Sequence, residues 1–131
     1  MRMIISVDFD GILCKNKFPD IGEPNYEIIS LVRQLKDKGH EIILWTSRVE
    51  KELESAIKWC ENYGLHFDAI NDNAPSNKEQ YKGVYNEVPR KIYADIYIDD
   101  HNIEYVCGKD RLSSSNDKVI FYLRRLKGYE I

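Results

Sequence analysis

Apolar positions along the chain fall into short unbroken runs separated by stretches of helical periodicity. The run from Met3 to Val7, cut off by Asp8-Phe9-Asp10-Gly11, has the form of a strand buried on both faces of a parallel sheet. After a polar loop containing Pro19 and Pro24, Tyr26, Ile28, Ile29, Leu31, Val32 and Leu35 recur at helical spacing. Asn25 stands where a cap belongs and Gly39 where the helix must stop, so a helix ending near Lys38 is predicted. Glu41 to Trp45 predicts a second buried strand, closed by Thr46-Ser47-Arg48. From Glu50 to Tyr63, Leu53, Ile57 and Cys60 share one face, with Ala56, Trp59 and Tyr63 near it, before Gly64 ends the helix. Phe67 to Ile70 predicts a weak third strand, and Ile92 to Ile98 a stronger fourth ending in Asp99-Asp100. A last helix runs from about Asn116 to Lys127, with Val119, Ile120, Tyr122, Leu123 and Leu126 facing inward.

Strands that alternate with helices imply a parallel sheet with right-handed crossovers and helices on both faces. The expected architecture is an α/β fold, a doubly wound three-layer α/β/α sandwich. Ligands of such sheets sit beyond the carboxyl ends of the strands. The segments that matter are therefore Asp8 to Gly11, Thr46 to Arg48, and Asp99 with Asp100.

A length of 131 residues fits one domain. Hydrophobic residues at 43% beside 31% charged residues are ordinary for a chain that folds by itself. The formal charge of −3 comes from interleaved acids and bases, which offers no broad basic face and disfavours nucleic acid as a partner. Cys14, Cys60 and Cys107 lack the spacing of a zinc or redox motif and suit free thiols in a reducing compartment. The apolar start is too short for a signal peptide or a membrane span, so no membrane association is expected and the cytoplasm is the default. Ser113-Ser114-Ser115 is no more than a loop and helix cap.

Asp8 and Asp10 stand two apart where the first strand runs out, and the strand period could turn both toward one cleft. Like charges that close repel, and a divalent cation relieves them; Mg²⁺ suits one or two aspartates, with water and a substrate phosphate completing its shell. Asp99 and Asp100, closing a neighbouring strand, would complete the acidic pocket. Acidic pairs directly after two strongly apolar strands are poor terminators unless a cation lies between them.

The run Ile5-Ser6-Val7-Asp8-Phe9-Asp10-Gly11 resembles the strand-DxDG signature of the haloacid dehalogenase-like superfamily. Ile42 to Arg48 resembles its second motif, and Lys91 with Asp99-Asp100 the third and fourth, so the likeness spans residues 3 to 102. Ile12 departs from the Thr or Val often found there. The resemblance implies a Mg²⁺-dependent phosphohydrolase that cleaves phosphomonoesters through an aspartyl-phosphate. Asp8 would be the nucleophile, and Asp10 the acid and then the base. Thr46 would hold a phosphoryl oxygen, assisted by backbone N–H groups from Phe9 to Gly11 and from Ser47. Lys91 would neutralise Asp8 and the phosphate, with Lys78 as its rival. Asp8, Asp10, Asp99 and Asp100 would be the metal set. Arg48 could contact phosphate or form an ion pair at a helix start, and His101 is read as structural or solvated.

Neither usual place for a cap domain has room for one, which resembles the capless members. Residues 12 to 24 are too few, and residues 71 to 90 form a single polar loop, with Tyr81 and Tyr85, that is expected to border the site and help choose the leaving group. Similar proteins act mostly on sugar phosphates or other small phosphomonoesters, and some are tetramers, so a homo-oligomer is plausible by analogy. The alternatives are a phosphatase of macromolecular substrates, such as a nucleic-acid end or a protein, and a receiver-like phospho-Asp signalling module. A receiver would carry its acceptor at the end of the third strand, where this chain has Asn71 and Asp72.

Overall fold

The computed structural model describes residues 2–84, 87, 90–99 and 115–128. Its elements in chain order are β1 (Ile4–Val7), β2 (Cys14–Lys17), β3 (Asp20–Pro24), α1 (Tyr26–Asp37), β4 (Glu41–Leu44), α2 (Glu50–Asn62), β5 (Ala69–Ile70), α3 (Pro75–Gln80), β6 (Ile96–Ile98) and α4 (Ser115–Lys127). Strands β5, β4, β1 and β6 form one parallel sheet in that order. Its register pairs Val7 with Leu44 on one side and with Ile98 on the other. The result is a Rossmann-like α/β/α arrangement.

Right-handed crossovers dictate how the faces are covered. The steps from β1 to β4 and from β4 to β5 run in the same direction, so α1 and α2 lie on one face. There Ile5, Val7, Ile42 and Leu44 pack with Ile28, Leu31, Val32 and Leu35 of α1, Ala56 and Cys60 of α2, and Leu123 and Leu126 of α4. The return from β5 to β6 crosses the opposite face. Here the cover is thin: Ile4 and Ile43, with Trp45, Ala69 and Tyr97 partly buried, meet Ala74, Ile92 and Ala94.

Several elements differ from the sequence expectation. Residues 12 to 24 are not a loop; Cys14–Lys17 and Asp20–Pro24 form an antiparallel hairpin. The expected strand from Ile92 shortens to Ile96–Ile98, because Ile92 and Ala94 are buried by covering the sheet and not by joining it. Phe67 to Ile70 shrinks to Ala69–Ile70. Asp68 and Asp95 stand before these short strands and grip their neighbours. The Asp68 carboxylate accepts from Ile42 N–H at 2.7 Å while its own N–H reaches the Ile42 carbonyl, and Asp95 does the same with Ile4.

The stretch 71 to 90 is not a single loop, since it contains α3. That helix opens on Pro75, whose missing N–H costs nothing in the first turn. Ser76 donates from its N–H and its hydroxyl to Glu41, which explains a buried carboxylate at the start of β4. Asn25 occupies the cap position of α1 without capping; its Nδ2 donates to the Ile12 carbonyl. Tyr122 is exposed and does not face inward, whereas Leu123 and Leu126 do. Cys14 and Cys60 are buried free thiols, and burial pushes their pKa values up to about 11 and about 12. Cys107, Ser113 and Ser114 lie outside the described residues.

Candidate active site

The sheet's connections reverse between β1 and β6, and there two acidic residues come side by side. Asp8 follows Val7 and Asp99 follows Ile98, its register partner; the ladder continues one step further through the Asp8 N–H, which donates to the Ile98 carbonyl at 2.9 Å. Neighbouring strands lie about 4.8 Å apart, so the two aspartates are adjacent at the crevice where such sheets bind ligands. On the other side, Trp45 N–H donates to the Val7 carbonyl at 2.9 Å and brings Thr46 to the same edge.

The turn after Asp8 closes through hydrogen bonds from Ile12 and Leu13 N–H to the Phe9 carbonyl. Gly11 has φ +86° within it, a backbone region glycine enters without the Cβ penalty of other residues. Of the N–H groups expected to face a phosphate, that of Phe9 donates to Asp8 Oδ1 at 2.8 Å and that of Gly11 to the Cys14 carbonyl at 2.9 Å. Thr46 N–H donates to Asn71 Oδ1 at 2.8 Å, and Thr46 Oγ1 accepts from Arg48 N–H at 3.1 Å. The Thr46 hydroxyl thus shapes the turn into α2. Ser47 is exposed. Asn71 and Glu50 adopt positive φ, both 51°, so two strained non-glycine residues flank this edge.

Asp10 is engaged by Arg48. Its two carboxylate oxygens accept from Arg48 Nε and Nη2, both at 2.8 Å. The Arg48 side chain is only 1% exposed and that of Asp10 18%. Its remaining donors reach the carbonyls of Pro19, Asp20 and Glu52. The guanidinium also lies over the rings of Phe9 and Phe18, at 5.0 and 5.1 Å. Five hydrogen bonds employ all five guanidinium N–H donors, so in this conformation none is left for a phosphate. The hydrogen bond that Arg48 donates to Asp10 raises the Arg48 pKa above its ordinary value, outweighing the opposing effect of burial. Of the two roles open to Arg48, the structure displays the ion pair, and extends it into a tie between Asp10, α2 and the hairpin.

The two rival lysines have different surroundings. Lys78 pairs with Asp72 at the surface, and that hydrogen bond pulls the Asp72 carboxyl below its usual range. Lys91 lies with its ammonium 5.6 Å from the centre of the Tyr97 ring. It borders a cavity of about 310 Å³ together with Ser6, Trp45, Tyr97, Ile98 and Asp99. Reasoning from sequence missed this role for Ser6, Trp45 and Tyr97. A hydroxyl inside an otherwise aliphatic strand was the available signal.

Among the described residues, no three His, Cys, Asp or Glu side chains gather into a group able to hold a metal ion. Asp100, of the expected metal set, and His101 lie outside the described residues, as does Tyr85. Mg²⁺ needs only one or two carboxylates, the rest of its shell being water and phosphate oxygens. The adjacent Asp8 and Asp99 meet that requirement. None of the helices among the described residues is long and apolar enough to cross a membrane.

The fold and this edge define an α/β protein of the doubly wound class with an acidic crevice at its topological switch point. No family model and no curated protein matches the chain. Among solved structures, it is similar to one described as a conserved protein from Bacteroides thetaiotaomicron, with 37% identity, 79% of each chain covered and a TM-score of 0.68. At that identity and coverage the chain belongs to the same family as this Bacteroides protein.

Proposed function

We propose that the protein is a Mg²⁺-dependent phosphohydrolase of small phosphomonoesters, with Asp8 as the nucleophile. The observation that carries this reading is the pairing of Asp8 with Asp99 at the reversal of the sheet, beside a cavity whose rim holds Lys91. The order of the motifs on β1, β4 and β6, similar to that of the haloacid dehalogenase-like superfamily, supports it. An Asp8 carboxylate oxygen would attack phosphorus, forming an acyl phosphate as the ester P–O bond breaks and the leaving oxygen takes a proton from Asp10, which would recover it from the water of the second step. Water would then attack the phosphorus, releasing inorganic phosphate and restoring Asp8. Mg²⁺, held by Asp8 and Asp99 with Asp100 as a further ligand, would supply electrostatic stabilisation of the transferring phosphoryl group. Lys91 would add positive charge on the same side. The buried free thiols of Cys14 and Cys60 are in keeping with a cytoplasmic protein.

The test is turnover of a phosphomonoester panel with and without Mg²⁺, on the native chain and on Asp8→Asn. Mg²⁺-dependent release of phosphate that disappears in the variant, with circular dichroism unchanged, is the expected outcome. Undiminished Mg²⁺-dependent hydrolysis by Asp8→Asn would remove Asp8 as the nucleophile.

A further inference from the structure

The cavity bordered by Lys91 and Asp99 has a composition that the chemistry at Asp8 does not require. Alternation along the strands, continued one step past β1, β4 and β6, puts Ser6, Trp45, Tyr97 and Asp99 on the thinly covered face of the sheet. Asp8, two residues after Ser6, falls on that face too. Ser6 is 1% exposed and sits between Ile5 and Val7. A hydroxyl in the middle of an aliphatic strand weakens the core unless something bonds it. Because Ser6 borders the cavity, whatever enters there is positioned to meet that hydroxyl.

The walls are aromatic and one of them is fixed. The Tyr97 hydroxyl donates to the Ile92 carbonyl and accepts from Ala94 N–H at 3.1 Å, which pins its ring beside the cavity. Trp45 contributes an indole where most residues closing a strand would be small and polar. Lys91 and Asp99 supply charges of opposite sign. A volume of about 310 Å³ is at the lower end of small-molecule sites.

From this composition we infer that the cavity is a leaving-group subsite for phosphomonoesters carrying a single ring. The ring would lie against Trp45 and Tyr97, and a polar substituent on its edge would bond Ser6. This deepens the hydrolase reading and rests on it for the position of the phosphate, but the subsite can be tested by binding alone. Phenyl phosphate and a hexose phosphate share the one-ring shape and differ in ring chemistry; glycerol phosphate has no ring.

Titration calorimetry on the full Asp8→Asn chain with Mg²⁺ would compare these three esters and inorganic phosphate. Tighter binding of at least one ring ester than of glycerol phosphate is expected. Trp45→Ala added to that background should cost the ring ester about tenfold in affinity and leave inorganic phosphate unchanged. Ser6→Val guards against a folding defect in the first variant, because valine suits the strand while filling the cavity and removing the hydroxyl; the same selective loss is expected. Equal affinity for ring and acyclic esters, or ring affinity untouched in both variants, would overturn the subsite. Ring-selective binding in a chain whose native form hydrolyses no ester would support the subsite and refute the hydrolase.

Discussion

Arg48 grips Asp10 through two parallel 2.8 Å hydrogen bonds while its other donors hold the carbonyls of Pro19 and Asp20, 29 and 28 residues earlier in the chain. One buried cation thereby fastens the loop after β1 to the tip of the hairpin and to the first turn of α2. The hairpin itself is largely exposed, with Phe18 and Lys17 in solvent, and brings little apolar surface of its own to hold it down. The tie fixes the tip of the hairpin against Asp10 and α2.

Replacing Arg48 with Met should therefore be costly. The change leaves the partly buried Asp10 without its counter-charge and takes a donor from the carbonyls of Pro19 and Asp20. Breaking one side of a buried pair typically costs about 3 to 5 kcal/mol, and a fall of that order in urea-denaturation stability is expected. Arg48→Lys keeps the charge and loses the planar fork, so it should recover only part of the deficit. A loss under about 1 kcal/mol for Arg48→Met would show that the pair contributes no more than a surface ion pair.

Gly22 is required by close approach. A Cβ built there would stand 2.1 Å from the Lys15 carbonyl oxygen on the opposing strand of the hairpin. That contact is with backbone, so no side-chain rotation relieves it. Gly22→Ala should separate β2 from β3 and cost about 1 to 3 kcal/mol, the usual range for overpacking. A lowered thermal midpoint with the parallel sheet intact is the expected result.

His40 makes stability depend on pH. Its Nδ1 accepts from Met3 N–H at 3.0 Å, and its buried Nε2 has no partner among the described residues. Burial lowers its pKa below the ordinary 6.5, and the positive charges of Lys38 and Arg2 add to that. Between the lowered folded value and 6.5, the unfolded chain binds more protons than the folded one. Stability then rises with pH through that window, is fully present above 6.5, and is lost as pH falls toward the folded value. Urea midpoints measured from pH 5 to 7.5 should show this slope, and His40→Gln should flatten it.

The buried parts of this fold were readable because burial leaves a pattern. Ile4 to Val7 and Glu41 to Leu44 are hidden on both faces and appear as unbroken apolar runs, apart from Ser6 and Glu41. The hairpin was not readable: Lys15, Asn16 and Lys17 are all exposed, so no alternation marks the strand. The α3 helix buries none of its residues and shows only Pro75 as a signal. Ile92 and Ala94 misled in the opposite sense, being apolar without joining a ladder. At the candidate site, Asp8 and Asp99 could be placed from strand ends alone. The Arg48 pair could not, because its partners are 38 positions apart and meet only through the turn at Gly11 and the start of α2.

The two lysines should separate cleanly in kinetics. Lys78 is already committed to Asp72, whereas Lys91 shares a cavity with Asp99. If the site hydrolyses phosphomonoesters, Lys91→Ala should lower kcat/KM by about tenfold or more, the scale of losing one charge-assisted contact to phosphate. Lys78→Ala should stay within about twofold, as removal of an exposed pair usually does. The reverse ranking would place the phosphate nearer α3.

Asp10 poses the sharpest question about mechanism, because the acid–base role implied by the superfamily resemblance and the Arg48 pair compete for one carboxyl. Both oxygens are engaged in the structure, so proton donation to a leaving group requires Asp10 to turn out of the guanidinium fork. Asp10→Asn tells the roles apart, since an amide keeps one oxygen to accept from Arg48 but can neither give nor take the proton. If Asp10 turns out and acts as acid and base, kcat should fall by about 10²- to 10⁴-fold, most steeply for esters with poor leaving groups. If it serves only to anchor Arg48, the loss should stay under about tenfold and be indifferent to the leaving group, with a drop in urea stability instead. Measuring kcat for phenyl phosphates of graded leaving-group acidity, alongside the urea midpoint, decides between them. We expect the first outcome, because among the described residues the Asp8-Asp99 edge offers no other carboxyl group that could protonate an alkoxide without surrendering a proposed metal ligand.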